Sequence, residues 1–238
     1  MNRKTLRVVG LVWGWCGERH WAGGIGADFE QRSILFIVLL MTTHSSISRA
    51  SSGNIGVDIA LVAVFAALIA AMALLPAIPV GPLGVPITLQ NLAVYIVALV
   101  LGARRAPLAV LLYLVVGLLG LPIFARGGAG VGVLAGPSAG YLLGYIPAAL
   151  CTGLVAYSVV RKRRVGFSAV VGMFLATCVG LIIITGCGIV GMMLNAHLSF
   201  GAAVGAAAIY LPGDLIKGVI ASLVAVAVHR AFPRLSLS

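Results

Sequence analysis

From residue 57 onward the chain alternates between long apolar runs and short breaks rich in glycine, proline or arginine. A helix crosses the hydrocarbon core of a bilayer in roughly 20 residues. The runs predict six helices, at about 57–75, 87–101, 107–120, 138–160, 168–194 and 212–230. Pro76 ends the first, and Pro79, Pro82 and Pro86 keep 77–86 out of helix. That stretch carries no charge, so it is expected to fold back into the mouth of the bundle, where irregular backbone survives only against protein or a cavity. A second irregular stretch covers 121–137. A third, polar and rich in small residues, covers 195–205. The first helix bears Ala63, Ala67 and Ala71 four apart. Such a ladder lets another helix approach closely in lipid, although alanine is also simply common there.

Composition turns this pattern into a class. The chain is 61% hydrophobic and 9% charged, which no soluble domain of this length combines. The expected fold is therefore an all-α integral membrane bundle of six transmembrane helices with re-entrant or irregular outer loops. The short alternating segments of a membrane β-barrel are absent. Residues 1–50 differ. They hold all three tryptophans, six of the sixteen basic residues and three of the five acids. The apolar run 33–41 is too short to span. Residues 1–50 are expected to be a poorly ordered or non-essential extension, with Met41 a plausible true start, and 51–238 the membrane domain.

The net charge of +11 does not point to nucleic acid. Beyond residue 59 the basic residues fall in breaks between apolar runs: Arg104-Arg105, Arg161-Lys162-Arg163-Arg164, then Arg230 and Arg234. The opposite loops carry only Arg126. Positive-inside reasoning places both termini in the cytoplasm and the three irregular stretches outside.

The candidate chemistry lies in Leu211-Pro212-Gly213-Asp214-Leu215-Ile216-Lys217. Asp214 is the only acid after Asp58, and Lys217 the only lysine after Lys162. Three apart on a helix, they share a face. Charges at membrane depth mark a ligand site by default. The alternative is that Asp214 caps a helix opened by Pro212, with Lys217 snorkelling to the headgroups. Gln90 and Asn91 open the second helix, as interhelical glue or as ligand donors. Arg126, Gly127 and Gly128 stand in the second outer stretch, where glycines permit close backbone approach to a ligand. Tyr141 opens the fourth helix. One carboxylate, one ammonium, amides and an arginine suit a small zwitterion-like or amide-rich anion. Lys217 or Arg126 would meet its carboxylate, and Asp214 with an amide its N–H donors. Catalysis finds no set here: no Ser, His and Asp constellation, no carboxylate pair, no HExxH, no ATP motif and no metal-spaced cysteines.

Four segments carry a resemblance. Val85-Pro86-Ile87-Thr88-Leu89-Gln90-Asn91-Leu92-Ala93, Gly117-Leu118-Leu119-Gly120-Leu121-Pro122-Ile123-Phe124, Gly136-Pro137-Ser138-Ala139-Gly140-Tyr141-Leu142 and the Asp214 segment resemble, in order, the signatures of BioY. That family supplies the biotin-specific S component of energy-coupling-factor (ECF) transporters. The resemblance spans about 57–230 and leaves 1–50 outside. It implies biotin held near the outer face, Asp214 and Lys217 as ligand residues, and a bacterial-type plasma membrane. It also implies a transmembrane coupling subunit, two cytoplasmic ATPases that use ATP, and the alanine ladder as docking face. Alternatives are an S component for another small vitamin, or a membrane enzyme or assembly factor using the same pocket.

Overall fold

In the computed structural model, residues 55–76, 78–79, 86–161 and 166–232 are described. The expectations for residues 1–50, for a start at Met41, for most of the loop 77–86 and for the basic run 162–164 lie outside them. The helices are α1 (Ile55–Leu74), α2 (Gln90–Leu118), α3 (Ala139–Arg161), α4 (Phe167–Asn195), α5 (Phe200–Ala208) and α6 (Leu211–Ala231). Among the described residues, all but α5 are long and apolar enough to cross a membrane. Between α1 and α2, two short strands, β1 (Ile78–Pro79) and β2 (Pro86–Ile87), pair antiparallel. The all-α expectation thus holds except for this ladder, which lets a proline-rich stretch satisfy some backbone groups without helix.

The two runs expected at 87–101 and 107–120 are merged in α2, and the turn between them is confined to Gly102. Its φ of 71° and ψ of −170° are non-helical and belong to a region essentially reserved for glycine. The side chains show what that break does. Gln90 Nε2 donates to Tyr113 Oη at 3.0 Å, 23 residues away. Along a straight helix those residues would stand about 35 Å apart. α2 is therefore a hairpin of two helical arms reversing at Gly102, so its ends meet. Arg105, just past the turn, pairs with Asp58 of α1 (Nη2–Oδ1 2.6 Å). His229 near the end of α6 bonds the Leu99 carbonyl at 2.9 Å. A carbonyl only accepts, so Nε2 carries the proton.

The third outer stretch departs from expectation. Residues 200–208 form α5, where the composition of 195–205 predicts irregular chain. Ser199 Oγ accepts from Ala202 N at 3.4 Å, and alanine dominates the helix behind it. A serine cap before an alanine-rich segment favours helix despite the glycines. The second stretch holds two short 3-10 turns, Ala125–Gly127 and Val131–Ala135.

Packing follows the rules of lipid rather than water. Large side chains such as Leu175, Ile182, Ile216 and Leu223 face outward and exposed. Interhelical contact instead uses small residues, because apolar surface gains little by leaving lipid. A Cβ on Gly140 of α3 would lie 2.8 Å from Gly191 Cα of α4, and one on Gly153 would lie 2.6 Å from Ala103 N. α1 buries Ala66, Ile69 and Ala73, while Ala63 and Ala67 are exposed and Ala71 half-buried.

Gly102→Ala is expected to lower stability by about 1–3 kcal/mol, the cost of holding a side-chain-bearing residue in that backbone region. No atom outside its immediate chain neighbours crowds the position, since a Cβ there meets nothing within 4 Å. Gly186→Ala, equally uncrowded but inside α4, should be neutral or stabilising. Thermal unfolding in detergent separates the two. Equal effects would contradict the strained turn.

Candidate functional site

Asp214 enters α6 in its first turn, behind Pro212. The N-cap is Tyr210 and makes no side-chain cap bond, so the carboxylate is not spent on the helix end. It faces inward instead, 5% exposed, with Lys217 one turn on at 8%. Lys217 Nζ donates to Asp214 Oδ1 at 2.8 Å. The capping and snorkelling alternative therefore does not describe these side chains. Burial of both ions demands further partners. Asn91 of α2 supplies one, its Nδ2 donating to Asp214 Oδ2 at 3.0 Å. Tyr145 of α3 in turn donates to Asn91 Oδ1 at 2.7 Å. The run Tyr145–Asn91–Asp214–Lys217 ties three helices together, with donors and acceptors alternating along it.

Gln90 and Asn91 divide the two roles open to the amides. Gln90 Nε2 is spent on Tyr113, whose hydroxyl donates onward to the Ile123 carbonyl at 3.3 Å. This second chain fastens the loop after α2 to the hairpin. Phe124 comes next, fully buried against Gly117. A Cβ on that glycine would stand 2.6 and 2.8 Å from two ring carbons of Phe124. The ring also meets Tyr113 edge to face, 5.4 Å between centroids.

These chains border a cavity of about 200 Å³. Asp214, Lys217, Gln90, Asn91, Arg126 and Tyr141 all line it, so the structure brings together six of the eight residues proposed from sequence. Arg126 is exposed at its edge, in a left-handed conformation (φ 61°, ψ 25°). Gly127 and Gly128 are not among the lining residues. Their backbone closes the turn: Gly127 N donates to Phe124 O at 2.9 Å, and Gly128 N to Ala125 O at 3.2 Å. Gly127, at φ 72°, uses glycine's freedom to close this tight loop.

Sequence reasoning missed Thr88, Phe124, Ser138, Tyr145 and Tyr210, which also line the cavity. Tyr145 had a signal, standing four residues after Tyr141 and hence on the same helix face. Tyr141 and Tyr210 meet edge to face at 6.4 Å. Burial raises the pKa of the Tyr210 hydroxyl, which lies between α5 and α6, so it stays protonated at neutral pH. The Tyr141 hydroxyl is buried and has no hydrogen-bond partner among the described residues. Of the three ammonium protons of Lys217, one is accounted for by Asp214. The cavity thus presents an ammonium with donors to spare, a buried phenol and a shared carboxylate. That set is chemically suited to a small ligand carrying both N–H donors and carbonyl or carboxylate oxygens.

Comparison with known proteins agrees in kind. A family model described as the BioY family matches residues 41–234. The biotin transporter BioY of Rhodobacter capsulatus is 44% identical over 177 residues, 71% of this chain and 90% of the relative. That of Rhizobium etli is 39% identical over 179 residues, covering 75% and 96%. That of Thermotoga maritima is 38% identical over 167 residues, covering 68% and 89%. In three dimensions the chain is similar to the crystal structure of the S component for biotin from an ECF-type ABC transporter. The TM-score is 0.69 at 23% identity, over 76% of this chain and 95% of the other. The family model covers most of the chain, and the relatives above are 38–44% identical over most of their own length: this protein belongs to the BioY family.

Proposed function

We propose that this chain is the membrane-embedded S component for biotin, taking up the vitamin together with an ECF energising module. The observation that carries the reading is the 44% identity to a biotin transporter across 90% of that protein's length. The cavity supports it chemically. Biotin offers two ureido N–H donors, a ureido carbonyl and a carboxylate. Asp214 and Asn91 suit the N–H donors. Lys217 and Arg126 suit the oxygens, and the Tyr141 hydroxyl has a donor to give. The chain is a transport component and not an enzyme.

Further parts of the reading rest on particular observations. The reversal of α2 at Gly102 supports counting its two arms as separate crossings, giving six. The site residues cluster at the end of the bundle opposite the turn at Gly102, with its Arg104 and Arg105. Positive-inside placement of those arginines supports an outward-facing cavity and cytoplasmic termini in a plasma (inner) membrane. Ala63 and Ala67 are exposed on α1, away from Ala66, Ile69 and Ala73 that it buries. This supports the Ala63–Ala67–Ala71 stripe as the docking face for the transmembrane coupling subunit, with two ATPases beneath supplying ATP-driven work. The family match begins at residue 41, which supports the first forty residues as a dispensable extension, while 41–50 fall within the match.

Lys217→Ala is expected to weaken biotin binding by at least about 1.5 kcal/mol, the worth of a hydrogen bond to a charged group. Asp214→Asn should cost less, since an amide oxygen still accepts one bond. Calorimetry on purified, folded variants decides, and unchanged affinity in Lys217→Ala would exclude the site. A chain beginning at Met41 should insert and bind biotin; a properly inserted truncation that does not bind would overturn the dispensability of 1–40. Ala67→Trp adds bulk where close packing is needed, at a typical cost of about 1–3 kcal/mol. It should spare biotin binding in detergent while assembly and labelled-biotin uptake by cells with all subunits fall together. Wild-type uptake would show the stripe to be filler, and lost binding would turn it toward the pocket.

A further inference from the structure

The cavity wall formed by Tyr141 rests on a residue that does not line the cavity. A Cβ built on Gly188 of α4 would fall well inside van der Waals contact with the Tyr141 ring, against Cζ and Cε1 and 2.5 Å from Cε2. The aromatic ring therefore lies flat on the bare backbone of Gly188. The contact is held from both sides. One position before the tyrosine, Gly140 touches Gly191 of α4 backbone to backbone, with a hypothetical Cβ 2.8 Å from Gly191 Cα. A Cβ on Gly144 would likewise lie 2.8 Å from Cys187 Cβ. These contacts set the distance between α3 and α4, and the ring fills the space that remains above Gly188.

We infer that Gly188 is a positioning residue for the ligand: by lacking a side chain it sets how deep Tyr141 sits, and thereby the width of the cavity. The inference rests on the biotin reading for the identity of the ligand, but not for the geometry. At Gly140 and Gly153 a new Cβ would strike backbone, which cannot yield without moving a helix. At Gly188 it would strike the far end of a rotatable side chain. An added methyl there displaces the ring rather than the helix, and helix propensity gains from the exchange. The bundle should survive while the wall moves. Tyr141 faces the cavity on its other side and meets Tyr210 at its edge, so a ring pushed off Gly188 intrudes on ligand space. It also carries its buried hydroxyl away from a position where it has no hydrogen-bond partner among the described residues.

The test uses the full chain, purified in detergent with 3-fluorotyrosine incorporated, the Tyr141 signal being assigned by its loss in Tyr141→Phe. Gly188→Ala should shift that fluorine resonance without ligand, whereas Gly186→Ala, two residues away and uncrowded, should not. Biotin affinity should fall about tenfold or more in Gly188→Ala. In a Tyr141→Val background the same exchange should change affinity less than about twofold, because contacting residues are non-additive. An unmoved Tyr141 signal overturns the inference. So does an equal loss of affinity in both backgrounds, since Gly188 would then act without Tyr141. If Gly188→Ala does not fold, recovery of folding with Tyr141→Val supports the ring contact, and failure to recover overturns it. If the wild-type chain binds no biotin, the biotin reading fails on its own account, while the fluorine shift still decides whether Gly188 positions Tyr141.

Discussion

The architecture depends on one requirement: a carboxylate and an ammonium removed from water must find each other and then further partners. At membrane depth an unpaired charge costs several kcal/mol, and even a good pair needs its remaining valences met. Asp214 and Lys217 meet the first demand within one turn of α6, at 2.8 Å. The second cannot be met within α6, whose inward face is otherwise small and weakly polar. It is met by Asn91 from α2, itself oriented by Tyr145 from α3. The ion pair is thus a constraint on three helices at once.

That constraint explains why the turn at Gly102 matters so far from the cavity. Asn91 stands at the start of α2, and the loop bearing Phe124 and Arg126 leaves from its end. Only a reversal brings both to the same end of the bundle. The reversal is fixed at both ends. Gln90 and Tyr113 close it near the cavity. At the turn, Arg105 pairs with Asp58, and His229 holds the Leu99 carbonyl. α6 is therefore tied to α2 twice, by Asn91 near its start and by Leu99 near its end. Small-residue contacts supply the rest, since lipid offers no hydrophobic drive for helices to associate.

Much of this is legible in the residues because the governing terms are local. Span lengths follow from hydrophobic thickness, and Pro76 and Gly102 mark where helix stops or breaks. The polar pair stands out because acids and lysines are so scarce here. Three features are not legible, for physical reasons. The turn at 102–107 contracts to Gly102 alone, since a residue with φ near 71° reverses the chain in one step. The 195–205 break gains α5 because a serine cap outweighs the glycines around it. That Gly127 and Gly128 close a turn, Gly127 at φ 72°, is hidden because a glycine pair suits a tight loop and a ligand approach alike. Partners such as Tyr145 for Asn91, 54 residues apart, or Gly188 beneath Tyr141, depend on how helices cross, and no spacing along the chain encodes that.

The functional reading stands or falls on whether the cavity between Asp214, Lys217, Asn91 and Tyr141 takes biotin. Equilibrium titration of the purified wild-type chain with biotin decides this, the protein being stripped first of any co-purified ligand, which mass spectrometry would identify. Biotin should be the released molecule, and the titration should show a single saturable site per chain. A different released vitamin, or no saturable binding of biotin by folded protein, would contradict the assignment.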